Sequence, residues 1–373
     1  MDGACAVIRS LERIALVSIW FGLLASVGAE AQCLIPQNLI VSGGPGKDGI
    51  PALTNPEVVP AATGDTFLFP DDLVLGVVVN GEARAYPHAV MWWHEIVNDV
   101  LGGRPILVTF CPLTGSGIIY DPVIPDIPDM EAAPLNFGVS GLLFDNNLIL
   151  FDRRTDSLWS QMRLESICGA LSGTRPPLLP VVQSAWAAWK ALHPETTVVS
   201  FNTGFSRNYD VYPYGDYDQI DSTQLLFPQT TVDPRLPMKE NVLGIRHDGV
   251  ARAYSMTRMR ELGPRLAIND DVNGLPVLVA FHAASRLAIP FDRRVGATEE
   301  AREVLDFDIA KGEGFPFQLR DRQTGSIWNL NGVAISGPLQ GERLRKVPTF
   351  TAFWFAWSAF NLDSEIHVPG ASE

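Results

Sequence analysis

Residues 97–121 read VNDVLGGRPILVTFCPLTGSGIIYD, and residues 268–292 return the pattern as INDDVNGLPVLVAFHAASRLAIPFD. An Asn-Asp pair, a Gly turn, a Pro near the head of an apolar run and a closing aromatic-Asp stand at matched places. Three further blocks recur at the same offset of about 170 residues, which marks a unit used twice. GVVVNGEARAY (76–86) returns as GIRHDGVARAY (244–254), and FDRRTDSLWS (151–160) as RDRQTGSIWN (320–329). A helix around Trp186 and Trp189 returns around Trp354 and Trp357. The apolar runs are short and broken by Gly and Asn turn formers, which reads as strands. The expected fold is α+β and β-rich, with two homologous halves from an internal duplication related by a pseudo-two-fold.

The order of the chain follows from that pattern. Residues 1–31 read as a signal peptide, 32–70 as an N-terminal arm, 71–200 as the first half, 201–238 as a Tyr-rich connector and 239–373 as a second, degenerate half. Arg9 and Arg13 precede an uncharged apolar run from Ile14 to Ala29, and Ala29-Glu30-Ala31 is a small-x-small cleavage pattern. The expectation is export, to the periplasm or beyond, with no membrane span after cleavage. In an oxidising compartment the remaining Cys33, Cys111 and Cys168 allow one internal disulfide, and Cys33 with Cys168 is the pair expected if one forms.

The 373 residues carry a formal charge of -14 and are 46% hydrophobic. The hydrophobic share suits a large core, and the charge repels phosphate backbones, which excludes nucleic acid as a partner. Two motif readings are rejected on spacing. GGPGKD (43–48) lacks the first Gly and the Ser/Thr of a phosphate loop, and Gly138 to Gly141 lacks the Gly-x-Ser-x-Gly frame.

The repeat separates fold from chemistry. Both copies keep Arg84/Arg252, Asn98/Asn269, Asp99/Asp270, Asp152/Asp321 and Trp159/Trp328, which most simply serve the shared fold. Where the first copy has His94, Glu95 and Cys111, the second has Arg265, Leu266 and His282, so the chemically able set belongs to the first half. A helix from Pro87 to Val97 would put His94 and Asn98 on one face, with Val90, Trp93 and Val97 buried. The strand after it would bring Cys111 back beside His94. Cys, His and a carboxylate fit either a thiolate nucleophile, with His94 as base and Glu95 or Asp99 orienting it, or a metal centre. The metal ligands would be Cys111 and His94, and the ion zinc or copper. Arg84, Asn98, Tyr209 and Tyr214 would form the wall that meets a substrate. Against these readings stand a plain core cysteine, a histidine bonded to its own helix and aromatic packing by the tyrosines. His88 and His247 read as surface residues, and Asp152 and Asp321 as turn caps.

The text KDGIPALTNP (47–56), ARAYP (83–87), WHEIVND (93–99), VTFCPLTGSG (108–117), FGVSGLLFDNNLILFDRRTDSLWSQ (137–161) and NTGFSRNYDVYPYGDYD (202–218) resembles domain-of-unknown-function family 3179, uncharacterised exported bacterial proteins. The resemblance implies no activity. Phe110 and Thr114 stand where members of the family often carry Tyr and sometimes a second Cys. The function expected is an exported enzyme with a Cys/His-centred metal or thiol site in the first half. The alternative is a non-catalytic envelope binding or structural protein using a groove between the halves. The partner would be a small molecule or an envelope component.

Overall fold

The computed structural model describes Met1 and residues 33–124, 133–296, 302–310, 312 and 314–368, so the signal-peptide reading lies outside the described residues. The first segment opens with strand β1 (Leu73–Val79), hairpin partner β2 (Glu82–Pro87), helix α1 (His88–His94) and strands β3 (Ile96–Leu101), β4 (Arg104–Cys111) and β5 (Ser116–Tyr120). It continues with β6 (Phe137–Phe144), β7 (Asn147–Asp152), β8 (Leu158–Ser160), β9 (Glu165–Cys168), β10 (Val182–Ala185), helix α2 (Trp186–Leu192) and β11 (Thr197–Val199). β-branched runs such as Val77-Val78-Val79 favour the pleated strand. The β1–β2 turn is Asn80-Gly81, with φ of 50° and 88°. Two positive φ values are what a type I′ hairpin needs, and Asn-Gly supplies them with little strain.

The second segment repeats this order. It has β12 (Asn241–His247), β13 (Val250–Ser255), helix α3 (Met256–Leu262), β14 (Arg265–Val272), β15 (Leu275–His282) and β16 (Leu287–Asp292). There follow β17 (Phe307–Ile309), β18 (Leu319–Asp321), β19 (Ile327–Trp328), β20 (Ala334–Ser336), β21 (Phe350–Phe353), helix α4 (Trp354–Phe360) and β22 (Glu365–Ile366). Strand neighbours correspond too: β10-β1-β2-β11 matches β21-β12-β13-β22, and β6-β7-β8-β9 matches β17-β18-β19-β20. Within each segment the Trp of the helix lies on a glycine. A Cβ on Gly76 would stand 2.3 Å from Trp189, and one on Gly244 would stand 2.0 Å from Trp357.

The two largest hydrophobic cores are shared crosswise. Trp186 and Trp189 cluster with Leu278, Phe291 and Trp328 of the second segment, and Trp354 and Trp357 with Leu107, Phe137 and Trp159 of the first. Backbone bonds run the same way: Ala185 N–H donates to Ser285 O at 2.9 Å, and Phe353 N–H to Thr114 O at 2.8 Å. Between them Thr351 Oγ1 donates to Gln183 Oε1 at 2.8 Å.

The arm is stitched in by short strands. Val41–Ser42 pairs with β6, Leu53–Thr54 with β3 and Val58–Pro60 with β11. Cys33 and Cys168 form a disulfide, and Cys111 is a free, buried thiol. The residue before helix α2 is Ala185, with no side-chain cap. Among the described residues no helix is long and apolar enough to cross a membrane.

Candidate functional site

The expected helix over 87–97 is shorter than its apolar spacing suggests. It ends at His94, because Glu95 takes φ 57° and ψ −31° while its N–H still bonds Met91 O at 2.9 Å. A positive φ on a residue with a full side chain costs of order 1 kcal/mol or more and persists where packing over-determines it. The corresponding Leu266 lies in the regular strand β14. Asn98 and Asp99 consequently sit on strand β3, not on a helix face with His94.

The turn leaves Glu95 only 7% exposed, in the wall of a cavity of about 370 Å³. Leu113, Val139, Leu148 and Ile50 make that wall apolar, and Tyr214 supplies a phenol. The arm contributes Gly43 and Pro45, and the connector contributes Leu226 and Phe227. Asn146 holds the connector there: its amide donates to Phe227 O at 3.1 Å and accepts from Phe227 N–H at 3.0 Å. Burial pushes the Glu95 carboxyl up to about 8, so it is protonated at neutral pH and can donate a hydrogen bond. The Tyr214 phenol is raised by burial first, then by Glu95 and Cys111.

Cys111 is packed behind this wall. It is 1% exposed, and its Sγ donates to Asn146 O at 3.6 Å. Burial, and secondarily the charge of Glu95, push the thiol up to about 11, far from the thiolate that nucleophilic attack needs.

His94 is engaged elsewhere. Nδ1 lies 2.7 Å from Pro51 O, and since a carbonyl only accepts, Nδ1 carries the proton. Nε2 then accepts from Tyr209 Oη at 2.7 Å, and Tyr209 in turn meets Thr203 Oγ1 at 2.5 Å. Burial lowers the His94 pKa, which keeps the ring neutral. Both nitrogens being taken, neither is free for Cys111, and the expected Cys111–His94 pair is not assembled. Among the described residues no group of three or more His, Cys, Asp and Glu is placed to hold a metal ion, so the zinc or copper reading has no geometry beneath it.

The other expected wall residues are committed to the fold. Arg84 and Tyr86 both donate to Asp99 at 2.7 Å, and Arg252 and Tyr254 repeat this on Asp270 at 2.7 and 2.6 Å. Asn98 pins Phe137 through its N–H and C=O at 2.8 and 2.9 Å, and Asn269 pins Phe307 at 2.8 Å in both bonds. Asp152 accepts from Thr155 N–H at 2.6 Å and Trp159 Nε1 at 3.0 Å, the turn cap expected of it, and Asp321 repeats the cap.

Three features escaped the sequence. A buried amide and hydroxyl cluster fixes the Cys-loop: Gln161 Oε1 accepts from Asn147 at 2.7 Å and from Ser116 at 2.8 Å, and Gln161 Nε2 donates to Thr109 at 2.9 Å. His88 is buried rather than on the surface, and Lys239 is a fully buried lysine. The cluster had a visible signal, since Asn147, Gln161 and the Thr-Gly-Ser loop all lie inside the quoted motifs. Lys239 had none.

A β-rich chain of crosswise packed segments, with a carboxyl-lined pocket in the first, is the class these elements define. The chain belongs to the family described as "Protein of unknown function (DUF3179)", which it matches over residues 47–364. No curated protein and no solved structure gives a match.

Proposed function

We propose that the protein binds a small, mainly apolar molecule in the first segment and presents the protonated Glu95 carboxyl to an acceptor on it, such as a carbonyl. The observation that carries this reading is Glu95 itself, a buried carboxyl held by a left-handed turn in the wall of a mainly apolar cavity. An acid that is neutral at working pH can polarise a carbonyl as general acid, with Tyr214 as a second donor. Cys111 and His94 support this wall from behind and beside it, rather than forming a thiolate or metal centre. Apolar pockets with few polar groups are the usual form of small-molecule sites.

The reading includes the origin and place of the chain. The two segments, 71–200 and 239–373, are one unit duplicated about a pseudo-two-fold, with 201–238 as connector. The reciprocal bonds Ala185–Ser285 and Phe353–Thr114, flanking the Gln183–Thr351 pair, support it. Export is supported by the Arg9 to Ala31 pattern and by the Cys33–Cys168 disulfide, which persists in oxidising compartments. A matched probe pair tests the site: acetophenone, which carries a carbonyl, and isopropylbenzene, which has the same shape without it. Calorimetry should find acetophenone bound more tightly at neutral pH and the difference lost above about pH 9, where the carboxyl ionises. In Glu95→Gln, which keeps a donor that does not titrate, the preference should persist at both pH values. Equal affinity for the two probes in the wild type would reject the reading.

A further inference from the structure

A larger cavity, of about 590 Å³, lies where the two segments meet. Its walls come from corresponding positions: His88, Trp92 and Phe110 on one side answer Met256, Arg260 and Phe281 on the other. Asp71 and Asp72 answer Lys239 and Glu240, and the connector adds Tyr212 and Asp218. Residues at matched places have therefore diverged into different chemistry, as happens where a ligand of low symmetry sits on an axis.

Two residues of this wall each carry a buried polar atom without a hydrogen-bond partner, His88 Nε2 and Lys239 Nζ. These residues are 5% and 1% exposed. The Lys239 ammonium lies instead 3.1 Å from the Tyr217 ring centroid and 4.5 Å from that of Phe355. Aromatic faces compensate a buried cation only in part, and a buried donor without an acceptor is costly. Three of the four acids that line the cavity already accept hydrogen bonds from other groups. Glu240 accepts from Ser255 Oγ at 2.7 Å and from Thr257 N–H at 2.8 Å, and Asp72 accepts from Phe69 N–H at 2.8 Å. Asp218 accepts from Gln219 Nε2 at 3.1 Å. None of these acids bonds Lys239 Nζ or His88 Nε2.

We propose that this cavity is a second site, for a small organic carboxylate, with Lys239 Nζ as the anchoring donor, His88 Nε2 as a further donor and Trp92, Phe110 and Phe281 against the apolar body. It does not depend on the Glu95 pocket. Burial pushes the Lys239 ammonium down to about 7, with Asp218 opposing, so the side chain is half charged at neutral pH. His88 is held at about 3, by burial first and Arg286 second, and is uncharged. Arg260, Arg286, Asp71, Asp72 and Glu240 are the remaining charged groups facing the cavity. The phenols of Tyr212, in the wall, and Tyr217, against Lys239, are raised by burial and neutral. A carboxylate beside Lys239 favours the ammonium, so binding above pH 7 takes a proton from solvent onto Nζ.

Calorimetry with benzoate at about pH 8, in two buffers of different ionisation enthalpy, reads that proton directly. The expected result is uptake of most of one proton per benzoate bound, and affinity falling about tenfold per pH unit above about pH 7. Lys239→Met should abolish both binding and uptake while leaving a cooperative urea transition, since it removes a buried charge and keeps the apolar stem. His88→Gln should weaken binding and retain the uptake. Benzoate binding without proton uptake, binding that survives in Lys239→Met, or no binding of either benzoate or cyclohexanecarboxylate at millimolar concentration would overturn the proposal.

Discussion

Replacing Glu95 by Gln should make the protein more stable in alkaline solution, an effect opposite to that of deleting a useful charge. The carboxyl rises from 4.5 to about 8 on folding because it is buried. Below pH 4.5 both states are protonated and nothing is lost. As pH climbs, the unfolded chain ionises first while the folded one holds its proton, so stability falls across that window and levels off above about pH 8. At about 1.4 kcal/mol per pH unit the ceiling is about 5 kcal/mol, and water entering the cavity would reduce it to about 2–3 kcal/mol. Urea unfolding of wild type and Glu95→Gln between about pH 4.5 and pH 9 measures the difference. The curves should converge in acid and separate with rising pH, Gln being the more stable. Parallel curves would refute the account of Glu95 as a protonated, buried acid.

Other perturbations have equally definite outcomes. Lys239 runs the reverse course: its cost is complete below about pH 7 and fades toward pH 10.5, so Lys239→Met should gain a few kcal/mol at pH 6, read by the urea midpoint. Opening the Cys33–Cys168 bridge frees a loop with a sequence separation of 135 residues. The double Ser variant should lose about 3–5 kcal/mol by equilibrium unfolding, and no loss would mean that the arm contributes nothing to the fold. Gly76→Ala and Gly244→Ala should each cost about 2–3 kcal/mol through overpacking against Trp189 and Trp357, and a neutral result at either would show that the indole can move aside. Asn98→Ala and Asn269→Ala should cost similar amounts, about 1–3 kcal/mol each, and leave acetophenone binding unchanged; loss of binding in Asn98→Ala alone would return that residue to the site.

The repeated blocks were legible because hydrophobic period, turn residues and caps are local, and four of them recur in order. Asp152, Arg84 and Asn98 were legible as fold residues because each has a twin that makes the same bonds. The site was legible only as a neighbourhood. Its reading assumed that α1 runs on past His94, and one left-handed residue, Glu95, ends it early and puts Glu95 rather than His94 in the pocket wall. No propensity announces such a turn, because tertiary packing holds it. The partner of His94, Tyr209, lies in the connector, a long-range contact that spacing does not encode. Lys239 was invisible for a similar reason, since its burial depends on the meeting of two segments.

The claim on which the functional reading stands is that Glu95 keeps its proton in the folded protein at neutral pH. Carbon-13 labelling of glutamate, with Glu95 assigned by its loss in Glu95→Gln, allows its carboxyl to be titrated by NMR with and without acetophenone. The account predicts a midpoint near 8 in the free protein, moving higher when acetophenone occupies the pocket. A midpoint near 4.5 that acetophenone does not move would contradict it.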